Sequence, residues 1–426
     1  MRINIRDRAA GAARRRRLLL LLLAAVPALD GRASEEPAAP PQQGQPAPEP
    51  GPAQPETALP RETAIENPLG SAPAVAGSAF GGYGELTLNA PSNAPAVIDL
   101  RRFVLFFGHD FTDRIRFYSE VEVEHAVSSA DDRGEVEIEQ AFLDGLLEKR
   151  LNLRGGLVIM PVGIVNVYHE PPSFNGVDRP DVDTFVIPST WREPALGIFG
   201  ELAEGLRYQL YLVNGFNANG FTAEFAIREG HQEAQLAQAG DYGAVLRVDW
   251  EPVLGTVMGV SGYAASSRNT PAADSGAPPS AIGRIPLALV EADVRTRWHG
   301  FSARAEVAVL FIGKAAALTA ELDPAAGPIS SQSRGAYAEV AYDLLRLVAP
   351  STAQTLTAFA RFDYADTQAA VPAGLQPRLE FRRYSEVAGL VYRPIPQIAL
   401  KADFRLRQYG AGPDTHEAAS AVTWLF

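Results

Sequence analysis

Residues 114–147 read RIRFYSEVEVEHAVSSADDRGEVEIEQAFLDGLL, and their pattern decides the fold. In the first half Ile115, Phe117, Val121 and Val123 share one parity, while Arg114, Arg116, Glu120, Glu122 and Glu124 share the other. In the second half Val136, Ile138 and Phe142 oppose Glu135, Glu137 and Glu139. A period of two means strands, each with one apolar and one charged face. Such a hairpin suits a sandwich, with the apolar face in a core. It equally suits a membrane barrel, with the apolar face in lipid and the charged face in a wet lumen.

The rest of the chain separates these readings. From residue 79 onward sixteen segments read as strands: 79–89, 96–108, 114–125, 134–147, 151–160, 193–202, 205–214, 242–250, 255–264, 287–298, 300–311, 334–344, 353–365, 381–392, 397–408 and 417–426. Alternation is clean in 287–298, 300–311 and 397–408, and poor in 96–108 and 381–392. Connections alternate between long and short, as an up-and-down meander with turns on one rim and loops on the other requires. A sandwich has no reason to sort its connections in this way. Trp250, Trp298 and Trp424, with Tyr392 and Phe107, fall near strand ends, as an interfacial aromatic girdle would. The last residues, AVTWLF, end in Phe426 and resemble the C-terminal signal read by the barrel-assembly machinery. The expected fold is an all-β transmembrane antiparallel barrel of about sixteen strands, spanning 79–426.

The flanking sequence points to export. Arg14–Arg17 precede the apolar run Leu18–Val26, which is too short to span a bilayer and matches a secretory signal cut near residue 28 or 33. Residues 34–78 are Pro-rich and are expected to be a disordered periplasmic tether. Removing the signal takes the net charge from −12 to −18, which argues against a nucleic-acid partner. The chain has no cysteine, so disulfides and thiolate metal sites are excluded.

Several stretches resemble the phosphate-selective porin O and P family of Gram-negative outer membranes. They are Asp99–Phe103, FYSEVEVEH at 117–125, Glu139–Leu143, Leu153–Leu157 and Met160–Gly163, within roughly residues 79–200. The resemblance implies a sixteen-stranded outer-membrane barrel, a homotrimer, and a long loop folded into the lumen. It departs from that family in lysine content: Lys149, Lys314 and Lys401 are the only three, and two of them fall in connections. Anion passage would rest instead on lumen-facing arginines. The pore-lining candidates are Arg114, Arg116, Glu120, Arg247, Arg295, Arg297, Arg304, Arg361, Arg405 and Arg407. Carboxylates on the same faces form an opposing set that orients polar solutes.

The candidate constriction is the long connection 161–192, PVGIVNVYHEPPSFNGVDRPDVDTFVIPSTWR. Its length without periodicity suggests function, and Tyr168, Phe174, Phe185 and Trp191 seek burial. His169, Glu170, Asp178, Arg179, Asp181, Asp183 and Arg192 are the candidates to line or brace it. A loop folded over the outer rim is the other reading, and Asp178, Asp181 and Asp183 also have the oxygen chemistry for a calcium ion. No catalytic motif is present: His169-Glu170-Pro171-Pro172 stops short of H-E-x-x-H. The expectation is a porin passing small polar or ionic solutes, without cofactor or enzymatic activity. The alternative is a barrel with a structural or adhesive role; a barrel enzyme is the remaining rival.

Overall fold

The computed structural model describes residues 74–75, 77–129, 133–270, 280–322 and 327–426. The expected signal sequence and most of the expected Pro-rich tether lie outside the described residues. Sixteen long strands follow in chain order: β1 Ser78–Pro91, β2 Val97–Thr112, β3 Ile115–Glu124, β4 Val136–Glu148, β5 Leu151–Ile159, β6 Arg192–Ala203, β7 Leu206–Asn214, β8 Tyr242–Val253, β9 Thr256–Ser267, β10 Ile285–Trp298, β11 Phe301–Ile312, β12 Gln332–Asp343, β13 Thr355–Ala370, β14 Arg382–Ile395, β15 Ile398–Tyr409 and β16 Thr415–Leu425. Each pairs antiparallel with the next, and β16 pairs with β1 to close the barrel. All sixteen expected strands are present, with ends displaced by at most a few residues. Ala74–Val75 turn back onto the start of β1.

The wall is inverted relative to a soluble protein. Leu196, Leu212, Val260 and Val290 point outward and are exposed. On the opposite parity Glu120, Glu291, Asp293, Arg361 and Asp363 are buried. Water outside would penalise such a wall at every strand, whereas lipid outside satisfies it, because closure leaves no strand edge unpaired. Trp250, Trp298 and Phe301 are exposed on this outer face near short turns. At the seam, the Phe426 and Gly82 backbones exchange two hydrogen bonds of 2.9 Å, which ties the final residue into the closing pair. No helix among the described residues is long and apolar enough to cross a membrane.

Two bulges explain where alternation misleads. Between β1 and β2 the register skips Arg101, so Arg101 and Arg102 both turn inward and the pattern of 96–108 blurs. Between β3 and β4 it skips Glu139. Beyond that residue the parity of β4 is reversed. Phe142, expected on the lipid face beside Val136 and Ile138, is buried on the lumen side, and Leu143 points out. An extra residue re-aims the side chains around it, and bulges collect where function needs that.

Candidate functional site

The connection 160–191 leaves β5 and enters the lumen, so the reading in which it covers the outer rim is corrected. Gly163 permits the inward turn: its φ is +80°, and a Cβ there would lie 2.8 Å from Glu306 Oε1 and 2.9 Å from Ile187 Cδ1. Only glycine meets both demands. Asn166 then staples the two ends of the loop. Its amide donates to Met160 O (2.7 Å), and its side-chain oxygen accepts from the Trp191 backbone (2.7 Å). Trp191 is fully buried and meets Tyr263 edge-on at 4.8 Å and Phe216 at 5.3 Å. These contacts belong to an apolar core inside the barrel, shared with the connection 215–241 through Phe216, Phe221 and Ile227.

Wall charges hold the rest of the loop. The Ile164 amide, opening helix α1 (Ile164–Val167), donates to Glu306 of β11 at 2.9 Å. The Val177 amide donates to Asp403 of β15 at 2.7 Å, and the Asn175 side chain donates to Glu339 of β12 at 2.9 Å. Lys401 does most: its ammonium donates to the carbonyls of Pro171 (2.6 Å), Phe174 (2.7 Å) and Gly176 (2.9 Å). It also sits 4.2 Å from the centre of the Phe174 ring. Lys401 was not among the sequence candidates. The available signal was that it is the one lysine on the charged parity of a strand, and only an ammonium offers three donors to three converging carbonyls.

The other candidates separate into groups. Asp178 accepts from Arg101 (2.9 Å) and Arg405 (3.4 Å), while its carbonyl accepts from Arg361 (3.3 Å). Burial opposes its charge, yet Arg405 and Arg101 hold its carboxyl down at about 2. Asp181, which opens helix α2 (Asp181–Phe185), accepts from Arg407 and from Ser385, both at 2.7 Å. Burial opposes the charge here too, but Arg407 and then Arg405 keep it below the usual carboxylate range. Asp183 is buried nearby with neither carboxylate oxygen hydrogen-bonded. The three aspartates thus go to different partners and do not converge, which removes the calcium alternative.

Arg179 donates to Thr190 at 3.0 Å within the loop. His169 is buried between β3 and β4, with Nε2 3.5 Å from Glu139 and 3.8 Å from Glu120. Burial alone would lower its pKa, but Glu139 and then Glu120 hold it up at about 9. Glu170 beside it is half-buried. Arg192 lies in β6, just after the loop, and pairs with Glu137 and, at 3.3 Å, with Glu233.

Of the pore-lining arginines, Arg247 is enclosed by Asp249 (2.8 Å), Asp293 (2.7 Å) and Glu291 (3.4 Å). Arg361 pairs with Asp363 at 2.9 Å, and Arg304 with Glu339 at 3.2 Å. Arg295 stacks 4.5 Å over the Tyr168 ring. Arg297 is exposed at the short-turn rim, where Arg116 pairs with Asp110 at 3.1 Å. Arg114 is corrected: it lies in the turn before β3, exposed, outside the strand wall. Arg295 and Arg304 stand directly opposite each other on neighbouring strands, an arrangement that costs stability unless it serves another purpose.

Asp183 yields a prediction. Burial pushes its carboxyl up to about 8 against the pull of Arg179, and Glu291 and Asp363 add to the push. The docked loop therefore keeps this proton where a solvated aspartate, of pKa about 3.9, loses it. The contribution is fully present below pH 4 and is lost as pH rises towards 8. Asp183→Asn should leave thermal stability near that of the parent at pH 4 and raise it at pH 9 by roughly 1–3 kcal/mol. Equal melting-temperature differences at the two pH values would refute this.

The barrel resembles solved outer-membrane structures. OmpF of Salmonella typhi, solved in complex with daunomycin, superposes with a TM-score of 0.55 and 11% identity, over 82% of this chain and 97% of that one. The outer-membrane channel DcaP of Acinetobacter baumannii gives 0.51 and 12% identity, over 83% and 99%. The anion-selective porin of Comamonas acidovorans gives 0.51 and 9%, over 82% and 100%. These likenesses establish the porin fold. No family model matches the chain, and the narrower likeness to phosphate-selective porins rests on the quoted motifs alone. An uncharacterized protein of Aquifex aeolicus is 34% identical over 365 residues, which cover 82% of this chain and 80% of that protein. At that identity and coverage, the chain belongs to the same family as this Aquifex aeolicus protein.

Proposed function

We propose that this protein is an outer-membrane porin whose lumen is narrowed by the loop 160–191 to a passage for small ionic solutes. The observation carrying this reading is the anchoring of that loop inside a sixteen-stranded wall by Glu306, Glu339, Lys401 and Asp403. A barrel of this strand number is wide enough for an aqueous channel unless something fills it. The loop fills part of it with a fixed, charged surface. We further propose a preference for anions, supported by the juxtaposition of Arg295 with Arg304 and by Arg393 of β14, which donates to the loop carbonyl of Pro172 at 3.1 Å. Positive groups gathered on one side of a constriction raise the local anion concentration. Three copies would assemble side by side, each with its own passage.

A second reading is favoured by the burial of Arg247, Arg361 and Arg405 on the lumen side. Charges lining a broad open channel would be wet; on this reading the barrel is filled at this level and its role is structural. Single-channel recording in a planar bilayer separates the two. Small, steady steps are expected from the parent chain, with a reversal potential of the anion-selective sign under a salt gradient. Replacing residues 164–188 with a short Gly-Ser linker should enlarge the steps several-fold. Folded parent protein without steps, alongside a conducting truncated variant, would establish the closed reading instead.

A further inference from the structure

The geometry points to a divalent transition-metal site formed by Glu120 of β3, Glu139 of β4 and His169 of the lumen loop, which pins the loop to the barrel wall. One ligating atom from each lies within 4.8 Å of the others, and all three residues are buried. The His169 Nε2 separations of 3.5 and 3.8 Å are too long for charge-assisted hydrogen bonds, which settle at about 2.7–2.9 Å. They are close to the edge of a tetrahedron with metal–ligand bonds of about 2.0–2.1 Å, which is roughly 3.3 Å. A few tenths of an ångström of inward movement by the two carboxylates would bring the set to that spacing.

Independent observations support a ligand here. Neither ring nitrogen of the buried His169 has a hydrogen-bond partner, and Glu139 Oε1 has none. Orphaned polar atoms are costly in such a place. Neighbouring donors fix both carboxylates in place, as they do around metal ligands. Tyr118 donates to Glu120 Oε1 at 2.8 Å, Tyr83 donates to Glu139 Oε2 at 3.3 Å, and Gln140 donates to Glu120 Oε2. Glu139 is also the residue that the β4 bulge turns towards the loop.

One imidazole and two carboxylates suit Zn²⁺, Mn²⁺ or Fe²⁺ better than Ca²⁺, which needs six or more oxygens. The inference stands on this cluster alone and holds whether or not the barrel conducts.

The test uses the full chain, folded in detergent, stripped with a chelator and titrated with Co²⁺ and then Zn²⁺. The parent should take up one equivalent per chain, with the visible bands of four-coordinate Co²⁺ that Zn²⁺ abolishes. His169→Gln and Glu139→Gln should each weaken uptake by at least tenfold. In the parent, Zn²⁺ should also slow proteolysis within residues 160–191. A parent Co²⁺ spectrum that stays that of the hydrated ion overturns the inference without any variant. Stoichiometric uptake unchanged in both folded variants overturns it as well.

Discussion

Lys401→Met is expected to release the lumen loop from the wall while leaving the barrel closed. The substitution keeps the length and apolar stem of the side chain, so packing along β15 is nearly conserved. It removes the only ammonium that satisfies the carbonyls of Pro171, Phe174 and Gly176, and leaves all three without that donor. Hydrogen bonds to a charged donor contribute about 1.5–3 kcal/mol each, and buried orphaned acceptors add a desolvation cost. Part of the loss returns as solvent enters. A net weakening of docking of roughly 3–5 kcal/mol remains, enough to shift the docked fraction by two orders of magnitude or more. Limited proteolysis should then cut within residues 160–191 far faster than in the parent, and channel currents should become noisy between levels. Lys401→Arg should fail to rescue, because a planar fork cannot aim at three carbonyls converging on one point. A loop as protected as the parent's would show that the apolar core around Trp191 suffices to hold it.

Arg247→Met should destabilise the barrel itself. Among the described residues, Arg247 alone pairs with Asp249, Glu291 and Asp293 together, and it is about 1% exposed. Gly259 on the adjacent strand makes the arrangement possible, since a Cβ there would fall 2.3 Å from Arg247 Nη2 and 2.4 Å from Asp293 Oδ2. Without the guanidinium three carboxylates face one another inside the wall. Breaking a buried ion network on one side costs about 3–5 kcal/mol, more than the intact network is worth, because the remaining charges lose their compensation. The midpoint of heat-induced unfolding, read from gel mobility, should fall clearly. Adding Asp293→Asn and Glu291→Gln to Arg247→Met should recover much of the loss, because it removes the uncompensated charge. If the single variant melts with the parent, solvent within the lumen is screening the acids, and the lumen is wetter than its burial indicates.

The strand wall was legible in the sequence because its physics is local. A residue's face is set by parity, and lipid outside with charge inside leaves the same mark on each strand. The alternation of Ile398, Leu400, Ala402, Phe404 and Leu406 with Lys401, Asp403, Arg405 and Arg407 is reproduced residue by residue in the burial of β15. The sorting of connections into turns and loops carried the closure. The aromatics of 161–192 signalled that this loop would be buried, and Trp191 and Phe174 are.

Parity fails wherever the backbone inserts a residue. The bulges at Arg101 and Glu139 are pairing events between two strands, and neither strand's own pattern announces them. Phe142 was misplaced for that reason, and the inward aim of Glu139 towards His169 depends on the same shift. Arg114 kept the correct parity but fell in a turn, where parity ceases to place a side chain.

The sequence by itself determined an inside-out antiparallel barrel with one long aromatic-rich connection, because period, loop length and burial preference act over neighbouring residues. Only the tertiary structure decided which charges serve the loop and which serve the wall. Lys401 meets Pro171, Phe174 and Gly176 across more than two hundred residues of chain, and His169 of the lumen loop meets Glu120 of β3 and Glu139 of β4. Such pairings follow from barrel closure and strand register, which bring distant segments within hydrogen-bond range and leave no trace in the spacing of residues along the chain.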